Sequence, residues 1–133
     1  MYKITIPGNL PDLNTIIKES KRGNRNWQPY NEIKKENTDK VTWIVKAKIK
    51  KELNKIDLDI TWICKNKMKD KDNIMVGTKF ILDGFVNAGI IKNDGWKQIG
   101  NISHKFEVDK NNPRIEIEIK EVEKWNVYAK VLM

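Results

Sequence analysis

Three stretches of the chain alternate apolar and polar side chains with a period of two, and this constrains the fold more than any other feature. Between Lys55 and Cys64, Ile56, Leu58, Ile60 and Trp62 fall on one side and Asp57, Asp59 and Thr61 on the other. Side chains of an extended strand point to opposite faces in turn, so the run predicts a strand with one wet face. Ile102, His104, Phe106 and Val108 share a face in the same manner, as do Ile115, Ile117 and Ile119. Asn111-Asn112-Pro113 lies between these last two runs and predicts a turn joining them as a hairpin. With the N-terminal Met1-Tyr2-Lys3-Ile4-Thr5-Ile6-Pro7, strands are expected near 2–6, 55–64, 99–108 and 114–120.

A sheet with one dry face needs helices to cover it, and two longer stretches have helical spacing. From about 31 to 53, Ile33, Val41, Ile44, Val45, Ile49 and Leu53 recur at that spacing among lysines. From about 73 to 88, Phe80, Ile81, Phe85 and Val86 follow the N-cap types Asp72 and Asn73, and Gly89 suits the left-handed residue that ends a helix. Leu13–Ser20 offers a shorter helical pattern that Gly23 and Asn24 break. The expected fold class is α+β, a small mixed sheet packed with two main helices.

At 133 residues the chain fits a single domain, 1–133. Its tail, 121–133, carries Trp125, Val127, Tyr128, Val131 and Leu132 and has no place in this scheme; docking on a neighbouring subunit is one use for it. A composition 39% hydrophobic and 33% charged excludes a bilayer resident and a largely disordered chain. No segment approaches 18 consecutive apolar residues, and the N-terminus has a strand pattern and not that of a signal peptide, so a soluble, cytoplasmic protein with no membrane partner is expected. The one cysteine, Cys64, excludes an intramolecular disulfide and a Cys-based zinc cluster. His104, the one histidine, falls on the apolar face of a strand, where a hydrogen-bonded core residue is the ordinary outcome.

Net charge is +8, and it is uneven: residues 1–66 carry 14 basic and 8 acidic side chains, a net +6, and residues 67–133 carry 12 and 10, a net +2. The positive field attracts a polyanion, with nucleic acid the leading class. Lys18, Lys21, Arg22 and Arg25 are candidates for phosphate contacts. Lys46, Lys48, Lys50 and Lys51 form a second group, equally compatible with an ordinary solvated helix face. Five tryptophans add flat apolar surface for a core or for stacking on bases.

The stretch Lys69–Trp96, KDKDNIMVGTKFILDGFVNAGIIKNDGW, carries the chemistry. Asp70 and Asp72 lie two residues apart, which in extended backbone points both carboxylates to one side. Two carboxylates that close repel unless a cation lies between them, and oxygen ligands without Cys or His favour Mg²⁺ or Mn²⁺ over zinc. On one continuous helix, 72, 76, 79 and 83 form nearly one line. Lys79 would then share the Asp72 face, either holding a phosphate or simply pairing with Asp83. Trp96 is open to stacking or to packing.

The succession Asp70-x-Asp72-Asn73, then Leu82-Asp83, then Gly89-Ile90-Ile91-x-Asn93-Asp94 resembles the RusA-type Holliday junction endodeoxyribonucleases, often found on phages and prophages. The opening Pro7-Gly8-Asn9-Leu10-Pro11-x-Leu13-Asn14 is similar to the start of that family, so the resemblance covers most of residues 3–120. It implies a Mg²⁺ site formed by Asp70, Asp72 and Asp94, with Mn²⁺ a possible substitute, in an enzyme that resolves four-way branched DNA as a homodimer and leaves 5′-phosphate ends. A compact turn after the second main helix is expected to bring Asp94 beside the other two. Asn14, Lys69, Asn73 and Trp96 join the basic residues as DNA-contact candidates. Two positions depart from the family: Val76 stands where a lysine is frequent, leaving Lys79 as the substitute, and Asn93 replaces the first of a frequent aspartate pair. The competing expectation, from a different class, is a basic protein that binds branched or duplex nucleic acid without cutting it.

Overall fold

A computed structural model describes residues 1–122. Its elements in chain order are β1 (Tyr2–Pro7), α1 (Leu13–Arg22), α2 (Pro29–Lys48), β2 (Ile56–Cys64), α3 (Lys71–Met75), α4 (Thr78–Asn87), β3 (Ile99–Val108) and β4 (Arg114–Glu121). The four strands form one mixed sheet in the order β1-β4-β2-β3, with β1–β4 and β4–β2 antiparallel and β2–β3 parallel. The fold is α+β. The tail expectation falls, from residue 123 onward, outside the described residues.

The runs of β1, β2 and β4 pack as their spacing demands, whereas in β3 Ile102, His104 and Phe106 are only half-buried and Val108, expected on the same face, is exposed. Ile4 and Ile6 of β1, Ile56, Leu58, Ile60 and Trp62 of β2, and Ile115, Ile117 and Ile119 of β4 are all buried and share one core with Val41 and Val45 of α2 and Phe80, Ile81 and Phe85 of α4. Fully burying an aliphatic or aromatic side chain contributes about 1.5–3 kcal/mol, so this one-sided layer is the main stabilising feature. Gly84 lets α2 and α4 approach: a Cβ added there would lie 2.5 Å from Cγ1 of Val41.

The hairpin expected between the last two runs does not form. β3 and β4 flank β2 on opposite sides, and residues 109–113 cross over its end, where the Asp109 N–H donates to the Cys64 carbonyl at 2.8 Å. β2 buries nearly every residue of its dry face and so has ladder partners on both sides, whereas alternation specifies a strand's faces but not its neighbour.

Both main helices also differ from expectation. α2 ends at Lys48, five residues before Leu53; the Leu53 side chain is still buried, but its N–H donates to the Ile90 carbonyl at 2.6 Å, outside any helix. The stretch expected as one helix from 73 to 88 is two, α3 and α4, broken at Val76-Gly77. Gly77 lies against Trp62 so closely that a Cβ would meet the indole ring at 3.1 Å, so the chain turns over the large β2 side chain. Gly89, at φ +77°, ends the second piece as a left-handed residue.

Candidate nucleic-acid interface and metal site

The loop from Lys65 to Asp70 leaves the end of β2 and delivers Asp70 to the start of α3, where extended backbone (φ −68°, ψ 151°) makes it the N-cap. Asp72 sits in the first turn of α3 and accepts a hydrogen bond from the Asn73 N–H at 2.9 Å. The Asp70 side chain makes no capping hydrogen bond. Both aspartates are exposed and line the same groove of about 1050 Å³, whose walls include Lys67, Lys69, Lys71 and Phe106. Neither carboxylate enters an ion pair among the described residues. Lys71 places its ammonium 5.4 Å from the centre of the Phe106 ring, a cation–π contact across the groove between α3 and β3.

Two contacts fasten this site to the N-terminal segment. Lys69 Nζ lies 2.6 Å from an oxygen of Asp12, and the Asn14 N–H donates to Asn73 Oδ1 at 3.1 Å. Asp12 also caps α1 by accepting from the Thr15 N–H at 2.7 Å. Burial opposes ionisation of Asp12, but the hydrogen bonds from Lys69 and Thr15 outweigh it and hold the carboxyl below its usual range. Asn14, Lys69 and Asn73, all expected near DNA, are thus brought beside the Asp70–Asp72 pair. Asp12 carries the junction between the two segments and is absent from the sequence-derived candidates. An N-cap type immediately before the helical run, with Thr15 three residues on, was its signal.

Asp94 and Lys79 lie elsewhere. With the helix broken at Val76-Gly77, the line through 72, 76, 79 and 83 no longer exists. Lys79 Nζ lies 3.6 Å from Asp83, and both residues line a second cavity of about 490 Å³ together with Asp39, Asn93 and Asp94. The compact turn after α4 therefore returns Asp94 to the α2–α4 side and not to the Asp70–Asp72 groove. Among the described residues, no three His, Cys, Asp or Glu side chains converge as a metal-binding group. The groove itself fits Mg²⁺ through fewer protein ligands, since this ion is commonly held by one or two carboxylates with waters and substrate phosphates completing its shell. Cys64 also lines the groove, but burial pushes its thiol pKa up, which keeps it protonated and a poor ligand.

The basic candidates lie on exposed surface. Lys18, Lys21 and Arg22 lie in the second half of α1 and Arg25 just beyond its end. Arg22 is engaged with Glu19 at 2.7 Å and stands over the Trp27 ring at 5.5 Å, leaving Lys18, Lys21 and Arg25 without an ion pair among the described residues. Lys46, Lys48, Lys50 and Lys51 are exposed at the other end of the helical layer. Trp96 is 96% exposed, which excludes the packing alternative for it. His104 is half-buried and accepts a hydrogen bond at Nδ1 from Trp62 Nε1 at 2.9 Å, as expected of a core histidine; burial pushes its pKa down. No helix among the described residues is long and apolar enough to cross a membrane. No protein-family model and no curated protein matches the sequence.

Proposed function

We propose that the chain is a Mg²⁺-dependent endodeoxyribonuclease of RusA type, acting as a homodimer on four-way branched DNA. The observation that carries this reading is the placement of Asp70 and Asp72, free of ion pairs among the described residues, in one groove walled by Lys67, Lys69 and Lys71. An acidic pair inside a basic groove suits a cation shared with a phosphodiester better than it suits a merely solvated surface. Asp70 and Asp72 would hold Mg²⁺, and when bound this ion polarises the scissile phosphate and lowers the pKa of the attacking water.

The chain's own residues supply the rest. Lys67 and Lys71 receive the phosphates flanking the scissile one, and Lys18, Lys21 and Arg25 extend the contact along an arm, so affinity falls as salt rises. Trp96 stacks on an unpaired base. In the reaction a water oxygen bonds to phosphorus, the bond to the 3′ oxygen breaks, and that oxygen takes up a proton, leaving 5′-phosphate and 3′-hydroxyl ends. Asp94 and Lys79 line the second cavity, outside the groove, and take no step in this reading. A four-way junction is two-fold symmetric, so two subunits related by a two-fold axis place one groove on each of two opposed strands.

One observation favours a second reading, a protein that binds branched DNA without cutting it: Asp94 lines a different cavity from Asp70 and Asp72. Incubation of a synthetic four-way junction with the protein, with and without Mg²⁺, separates the two. Paired nicks that require metal support the nuclease; junction binding with no nicking in Mg²⁺ or Mn²⁺ supports the second reading.

A further inference from the structure

The loop before Asp70 presents one apolar side chain to solvent, and nothing in the nuclease reading yet uses it. Met68 is 86% exposed, between Lys67 and Lys69 and within two residues of Asp70. The loop tip is braced on both sides: the Met68 N–H donates to Asn66 Oδ1 at 3.0 Å, and Lys69 is tied to Asp12. An unbranched apolar side chain is thus held out from a braced turn among Lys65, Lys67, Lys69 and Lys71. Its surroundings are complementary to a polyanion. Duplex DNA offers such a chain the apolar space between stacked bases, and Met is among the residues that proteins use as wedges there. Unstacking costs least where stacking is already interrupted, as at a branch point.

We infer that Met68 is a wedge that inserts into the base stack at the branch point and so positions the neighbouring phosphodiester over Asp70 and Asp72. This rests on the branched-DNA reading above. Met68 is a positioning residue; it touches bases and not the reacting phosphate.

The test uses a four-way junction with 2-aminopurine at the crossover or, as a control, in the middle of an arm, titrated with the full chain in Ca²⁺ to prevent cutting. Unstacking brightens the probe, so wild-type protein is expected to raise crossover fluorescence by about threefold and to leave the arm probe unchanged. M68A is expected to abolish most of that rise while its junction affinity stays within about tenfold of wild type. M68L keeps the rise. M68K, which preserves reach and adds charge, binds at least as well and gives no rise; being a surface change, it also guards against a folding artefact. A crossover signal in M68A or M68K equal to wild type overturns the wedge. Wild-type binding without any crossover signal overturns the wedge and leaves the branched-DNA reading intact, whereas no wild-type binding to the junction overturns both.

Discussion

The Lys69 ammonium lies 2.6 Å from the Asp12 carboxylate, and this contact joins the start of α1 to the loop that delivers Asp70. Asp12 is buried and does two things at once, capping α1 through the Thr15 N–H and holding Lys69. Lys69 is half-exposed, so the ion pair itself contributes at most about 1 kcal/mol, and the cap about as much.

The two roles separate by substitution. D12N keeps an N-cap acceptor and loses the ion pair, so a loss under about 1 kcal/mol is expected in urea unfolding. D12A loses both, and about 1–2 kcal/mol is expected. Because the Asp12 pKa is lowered from 3.8, its contribution is full above that value and disappears as pH falls below it through the folded-state pKa. D12A should therefore flatten the acid limb of the stability curve.

The approach of α2 to α4 at Gly84 and Val41 predicts a second effect. G84A places a methyl group 2.5 Å from Val41 Cγ1, and overpacking of this kind costs about 1–3 kcal/mol. The double variant G84A/V41A should recover part of that loss, which thermal melts of the three variants would show; an unchanged Tm for G84A would mean that the helices are not packed this closely.

Much of this architecture was legible in the sequence. Alternation at Ile56–Trp62 and Ile115–Ile119 defines faces directly, because the pleat turns every second side chain inward, and both runs are buried as written. What alternation cannot carry is the partner, and the crossing of residues 109–113 over β2 was therefore invisible. Nor does helical spacing register a break: Ile74, Phe80 and Ile81 suit one helix as well as two, and the break falls where Gly77 lies against Trp62 and Leu10, residues distant in sequence. The same break explains the candidate site. Asp70 and Asp72 are close in sequence and share a groove, whereas the grouping of Lys79 with Asp72 depended on an unbroken helix and that of Asp94 on a turn whose direction local chemistry does not set.

The hydrogen bond from Trp62 to His104 requires an unprotonated Nδ1. Burial lowers the His104 pKa from 6.5, so the unfolded chain takes up its proton first. The stabilising contribution is therefore complete above about pH 6.5 and falls away as pH drops from there through the folded-state value. Denaturant midpoints measured from pH 7.5 to 5 should decline in this window for wild type and less so for H104F, which cannot titrate.

The division of the acidic residues between two cavities predicts unequal effects on metal binding. Asp70→Asn and Asp72→Asn should each weaken Mn²⁺ binding measured by calorimetry by tenfold or more, on the order expected for loss of a carboxylate ligand, whereas D94N should change it by less than about threefold. Equal losses in all three variants would mean that Asp94 reaches the same ion.

Metal-dependent cutting at the Asp70–Asp72 groove is tested by cleavage of a synthetic four-way junction by wild-type protein and by the double variant D70N/D72N, read on a denaturing gel alongside a binding titration. Paired nicks are expected only with Mg²⁺ or Mn²⁺, and the double variant is expected to bind the junction as well as wild type or better but to leave every strand intact. Wild-type protein that binds the junction and never cuts it with either metal would rule out the nuclease.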